Sequence, residues 1–330
     1  LNPSKRFSDA YSKDLYSALL KIPLQFVQGI KRITDKDYEE TILYIVPDGH
    51  LNALPFGALK TEDGTWLNDK YTLKILPLEQ SLIDLKRENY PREISKFVGF
   101  GDPVLNTKSE EENLYALRGI VKGDLLRDLK QLSETKEELN EIYGLFTRGW
   151  FDLFNKSRLF IQDDATETNV KSGVLSDADL IVFSTHAALP GQIQGVEDAG
   201  IILSIPEIPT VFDDGYLTPS EIKDLKLNSS TVILSACNTA GSDRYETETY
   251  SGLANAFFIA GADSVVVSHW EVESFSTKKL ITQALMKSKE NNYSVSKGLL
   301  LTQREMAKGV FGETYKHPYF WAPFVSIGVN

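Results

Sequence analysis

Apolar residues in this chain gather into short uninterrupted runs, and the runs alternate with stretches whose apolar positions recur every three or four residues. The runs TILYIVPDG (41–49), YTLKILP (71–77), KFVGFGDP (96–103), RLFIQ (158–162), DLIVFST (179–185), GIILS (200–204), STVILSA (230–236) and SVVVSHW (264–270) are rich in β-branched and aromatic residues, and several close on turn residues. Each predicts a strand buried on both faces. Helical spacing marks 12–33, where Pro23 starts a second helix or kinks the first, and then 81–89, 166–176, 219–225, 252–262 and 277–288. Strands separated by helices predict βαβ crossovers and a mainly parallel sheet with helices on both faces. The stretch 106–113 is charged without a period and predicts a surface loop. A boundary near Gly149 divides the chain into a helical lead-in with an N-terminal lobe (1–150) and a second lobe (151–330).

Composition changes this picture little. Hydrophobic residues make up 42% of 330 residues and charged residues 25%, the balance of an ordinary globular protein. The net charge of −11, from 46 acidic against 35 basic residues, repels a phosphate backbone, so direct nucleic acid contact is not expected. The sequence holds no apolar run long enough to span a bilayer and no signal-peptide layout, which predicts a cytoplasmic protein without membrane contact. Opening on Leu1 rather than Met, the chain reads as a piece of a longer protein. Neither PDG (47–49) nor VGFGDP (98–103) has the glycine spacing or Lys-Ser/Thr of a phosphate loop, and no cofactor is expected. The single cysteine excludes an internal disulfide and a cysteine-based zinc site within the chain, so no metal is expected either.

That cysteine stands where chemistry belongs. In parallel α/β sheets, functional groups collect at the carboxyl ends of the strands. The run 179–185 ends by presenting His186, and the run 230–236 ends by presenting Cys237, 51 positions later (237 − 186). A histidine about 50 residues upstream of a cysteine is the caspase spacing. A free thiol has a pKa of about 8.5, so an adjacent imidazole is needed to take its proton during attack. Cys237 is then the nucleophile and His186 the base. The backbone N–H groups of Cys237 and of Ala187 or Ala188 are the candidate oxyanion donors.

The ordered blocks IVPDGHLNALPFGAL (45–59), VGFGDP (98–103), DLIVFSTHAAL (179–189), YLTPSEI (216–222), VILSACNTA (232–240), GLANAFFIAGADSVVVSHWEV (252–272) and HPYFWAPFVSIG (317–328) together resemble the CHAT domains. These are caspase-like peptidases related to separase, gingipain and clostripain, and the resemblance runs over about residues 12–330. It implies a caspase-like fold with a degenerate N-terminal lobe packed on the catalytic one. It also implies a protein substrate and an upstream regulator, such as a tetratricopeptide-type repeat domain or another activating partner. Related peptidases carry an acidic residue near the end of the strand that follows the cysteine, where it binds a basic P1 side chain. Glu271 and Glu273 hold that place, and His269, at the same sheet edge, could line the pocket. One departure from caspases is Ala187 directly after His186, where they carry glycine.

Plainer readings compete with these. Most free cysteines are small buried hydrophobes, and a histidine at a strand end is commonly structural. Only the pairing of Cys237 with His186 sets them apart. His50 and His317 read as structural or exposed, and the aromatic block 317–321 as packing. The loop 238–251 could be ordered on activation, and Arg244 within it is a conceivable self-cleavage point. The sequence therefore predicts a cysteine endopeptidase cutting after Arg or Lys. Its rivals are a catalytically silent scaffold on the same fold and another cysteine hydrolase on a parallel sheet.

Overall fold

The structure, a computed structural model, describes residues 9–20, 42–47, 51–52, 54–76, 93–105, 129, 132–147, 156–188, 198–228, 230–235, 248–270 and 272–328; side chains of the helix Asp9–Leu19 are described from position 12 onward and those of the helix Glu248–Ala260 from position 252 onward. The expected helix at 81–89, the loop at 106–113 and most of the lead-in beyond position 20 lie outside these residues, as do Cys237, Arg244 and Glu271.

Among the described residues, eight strands form the central sheet. They are β1 (Ile42–Ile45), β2 (Thr72–Ile75), β3 (Phe97–Gly101), β4 (Arg158–Ile161), β5 (Leu180–Ser184), β9 (Ser230–Leu234), β10 (Ala262–Ser268) and β11 (Phe324–Gly328). Their order across the sheet is β1-β2-β11-β10-β9-β5-β3-β4. The pairing of β10 with β11 is antiparallel and the others are parallel. A small antiparallel sheet of β6 (Ala187–Ala188), β7 (Gly200–Ile202) and β8 (Tyr216–Leu217) follows β5. The helices among the described residues are α1 (Asp9–Leu19), α2 (Leu67–Lys70), α3 (Glu134–Thr147), α4 (Glu167–Lys171), α5 (Pro219–Lys223), α6 (Glu248–Ala260), α7 (Ser274–Asn291) and α8 (Val295–Ala307). Among the described residues, no helix is long and apolar enough to cross a membrane.

Uninterrupted apolar runs appear where both sheet faces are covered, and every residue of β3 and β5 is buried. Side chains alternate between the faces. Phe100, Ile181, Phe183, Val232, Leu234, Val265 and Val267 pack with Val170, Leu253 and Phe257 on one side. On the other, Phe97, Leu180, Val182, Ile233 and Val266 meet Leu139 and Ile142 of α3, Leu280 and Leu285 of α7, and Leu299 and Met306 of α8. Gly101 brings α3 close, because a Cβ there would lie 2.5 Å from the Ser184 carbonyl oxygen and 2.6 Å from Leu139 Cδ1.

The N-terminal elements build a satellite core of Tyr16, Phe56, Leu59, Leu67 and Tyr71. Gln303 of α8 joins it to the rest. Its Nε2 donates to the carbonyls of Trp321 (2.9 Å) and Phe324 (2.7 Å), and its Oε1 accepts from Asn68 Nδ2 at 3.1 Å. β3 and α3, before position 150, pair and pack with β4 and β5, after it, so strand pairing continues across the position expected to divide the lobes. A bond network centred on Glu167 holds the long return to β8. Glu167 accepts from the backbone N–H groups of Asp214, Gly215 and Tyr216 at 2.8, 2.8 and 3.0 Å, and Lys171 bridges Glu167 and Glu221.

Candidate active site

β5 and β9 lie side by side and parallel, with Leu180, Ile181, Val182 and Phe183 opposite Thr231, Val232, Ile233 and Leu234. Beyond the last rung, β5 runs through Ser184 and Thr185 to His186, which is buried. The small sheet fixes that turn. Thr185 Oγ1 donates to the Ile202 carbonyl (2.6 Å), and the Ile202 N–H donates to the His186 carbonyl (2.9 Å). In the antiparallel ladder that follows, Ala187 faces Ile201 and Ala188 faces Gly200. With Ile202 bonded to His186, Ala187 is the non-hydrogen-bonded member of the ladder, so its N–H turns away from β7.

His186 lines a cleft of about 70 Å³ with Thr135, Glu138, Thr185, Ser235 and Lys278, among others. The cleft opens on the α3 and α7 side of the sheet, the side to which the even-numbered residues of β5 point. Glu138 of α3 lies at its inner wall, 4% exposed. Ser184 Oγ donates to its Oε2 at 2.5 Å and Ser235 Oγ to its Oε1 at 3.0 Å. Desolvation pushes the Glu138 carboxyl above the ordinary range, and the two serine hydroxyls pull the other way. At the rim, Lys278 pairs with Glu137 (3.3 Å) and Glu141 (2.9 Å), and Glu134 accepts from Ser274 Oγ at 2.8 Å.

The structure does not bring all the expected site residues together. Glu273 is the N-cap of α7, where its carboxylate accepts from the N–H groups of Phe275 (3.1 Å) and Ser276 (3.0 Å). His269 belongs to the opposite face of β10 from Ser268, and it lines a different cavity of about 250 Å³ with Asn52, Phe56, Asn255, Val267 and Ile327. That cavity and the His186 cleft share no lining residue. Burial lowers the His269 pKa to about 4, which keeps the ring neutral at physiological pH. Sequence reasoning missed Glu138 altogether. The one signal was a glutamate inside the apolar spacing Leu139, Ile142, Phe146 of α3.

The sequence matches the CHAT domain family over residues 9–329. Tetratricopeptide repeat protein 28 of Mus musculus is 28% identical over 322 residues, covering 87% of this chain, and its Homo sapiens counterpart is equally similar. The chain spans only 12% of the length of these relatives. Among solved structures, separase in the Saccharomyces cerevisiae separase–securin complex superposes with a TM-score of 0.52 at 15% identity, over 94% of this chain and 17% of that one. The Arg-specific cysteine proteinase gingipain R superposes with a TM-score of 0.51 at 11% identity, over 98% of this chain and 73% of that one. At such identities the likeness is one of fold, and it bears out the expected caspase-like architecture with a mainly parallel sheet. The chain belongs to the CHAT domain family.

Proposed function

We propose that the chain is the catalytic domain of a cysteine endopeptidase in which Cys237 attacks the substrate carbonyl and His186 exchanges the proton. One observation carries this reading. β5 and β9 are in parallel register with an offset of 51 residues, from Leu180 opposite Thr231 to Phe183 opposite Leu234, and the same offset separates His186 from Cys237. Were that register to continue past the last rung, the two would stand opposite each other on strands about 4.8 Å apart. The parity also agrees, since His186 follows Ser184 by two residues and Cys237 follows Ser235 by two.

The chemistry follows from that placement. The Cys237 thiol passes its proton to the His186 imidazole as sulfur bonds to the scissile carbonyl carbon. The carbonyl oxygen takes up the negative charge, and the N–H groups of Cys237 and Ala187 stabilise it. Collapse expels the amine, which leaves with the proton from His186, and water then releases the acyl group. A basic P1 residue is part of the proposal. With the Glu273 carboxylate engaged by α7, Glu271 is the acid left to bind it, through charge-assisted hydrogen bonds. A regulator carrying tetratricopeptide-type repeats is the proposed partner, on the strength of the relatives' name and of how little of their length this domain represents.

A peptide library and a thiol-directed probe test the reading on the wild type, Cys237→Ala and His186→Ala. Cleavage after Arg or Lys should vanish in both variants, and probe labelling should depend on His186. Labelling that is indifferent to His186→Ala, with no peptide cut, would leave a scaffold. Turnover of small esters without peptide cleavage would point to another cysteine hydrolase.

A further inference from the structure

We infer that Glu138 is a positioning residue whose carboxyl group ties the end of the histidine-bearing strand β5 to the end of the cysteine-bearing strand β9, and so sets the spacing of His186 and Cys237. The inference rests on the reading of those two residues as a catalytic pair. Among the described residues, the backbone ladder between the strands runs as far as Phe183 and Leu234. The next residue on each strand is a serine, and the two hydroxyls donate to different oxygens of one carboxyl group, at 2.5 and 3.0 Å. A side-chain rung therefore stands one position beyond the last backbone rung and two residues short of each proposed catalytic residue.

A glutamate is rarely buried without strong partners, because desolvating it costs several kcal/mol or more. Here both oxygens are satisfied by residues 46 and 97 positions away in sequence. Lys278, on the same cleft, is engaged by the exposed Glu137 and Glu141. α3 can deliver Glu138 to this depth because Gly101 has no side chain between the helix and the sheet. Glutamine keeps the length of the side chain and one acceptor oxygen, and its NH2 can donate to the other serine once that hydroxyl turns to accept. β5 is also held by β3 at Ser184 and by β7 at His186, so the clamp's main effect is to tie the end of β9 to that fixed edge. Strand ends fray readily, and a misplacement of about 1 Å between reacting groups costs on the order of 100-fold in rate.

The test compares the full chain with Glu138→Gln, Glu138→Leu and Ser235→Ala, by hydrogen exchange at 183–186 and 233–237 and by hydrolysis of a basic-P1 peptide. In Glu138→Leu the strand-end amides should exchange at least about tenfold faster than in the wild type, and Glu138→Gln should restore them to within about threefold. The same Leu variant should lose about 100-fold in kcat with KM nearly unchanged, and Gln should recover most of it, a split that loss of helix docking alone does not produce. Should Glu138→Leu fail to fold, Ser235→Ala removes only the β9 leg and should loosen 233–237 alone. Unchanged exchange at the strand ends in the folded variants overturns the clamp whatever the activity. Hydrolysis that persists in His186→Ala sinks the protease reading instead, and the exchange data still decide the clamp.

Discussion

The neutral His269 beside its cavity makes stability depend on acidity in a calculable way. Its pKa falls from the ordinary 6.5 to about 4 because burial penalises the imidazolium. A histidine depressed in the folded state contributes stability that is fully present above the unfolded value of about 6.5 and is lost as pH falls toward 4, since the unfolded chain takes up the proton first. Between pH 8 and pH 5 the loss attributable to this ring is at most about 2 kcal/mol. Other groups titrate over the same range, so the informative quantity is the difference between the wild type and His269→Gln, which cannot titrate. Urea unfolding at pH 8, 6.5, 5.5 and 5 supplies it. The glutamine variant can be less stable at pH 8 for packing reasons, but the gap should close or invert by about 2 kcal/mol at pH 5. Two stability curves that stay parallel from pH 8 to 5 would refute the argument and place the imidazole in contact with water.

Three further outcomes follow from packing and hydrogen bonding. Gly101→Ala should cost about 1–3 kcal/mol in urea unfolding, because the new methyl meets the Ser184 carbonyl and Leu139; a neutral result means that α3 can lift off β3 freely. Glu167→Ala should cost about 3–5 kcal/mol, since it takes the acceptor from the buried Gly215 amide and the part-buried Asp214 amide and removes a partner of Lys171; a change below about 1 kcal/mol would mean that water reaches these groups. Asn292, the left-handed cap of α7 at φ 52°, should lose about 1 kcal/mol on replacement by Ala, read as a lower thermal midpoint; an unchanged midpoint would mean that the cap is not held in that conformation.

The sheet was legible because burying both faces writes each strand as an unbroken apolar run, and DLIVFST and STVILSA both yielded strands within a residue or two of expectation. Their endings also pointed to His186. What stayed hidden depends on contacts between distant segments. α3 places its apolar positions from Leu139 onward, after four acidic or basic residues in its first five, and Glu138 reads as surface charge until Ser184 and Ser235 are seen to converge on it. β11 lies just past the aromatic block 317–321 and carried no strand expectation, and its place between β2 and β10 is a pairing across most of the chain. α8 was equally silent. Glu273 looked like a pocket acid because its value as a cap depends on where α7 begins.

β11 has a consequence for how the molecule is made. It is the last strand among the described residues, yet it is wedged into the interior of the sheet, touching an early strand on one side and a late strand on the other. On a ribosome, everything up to position 323 can emerge while the two halves of the sheet still face each other across an open seam. Domain closure is thus deferred until translation has passed that point, and a chain broken off shortly before it exposes two unpaired edges ready to stick to their neighbours.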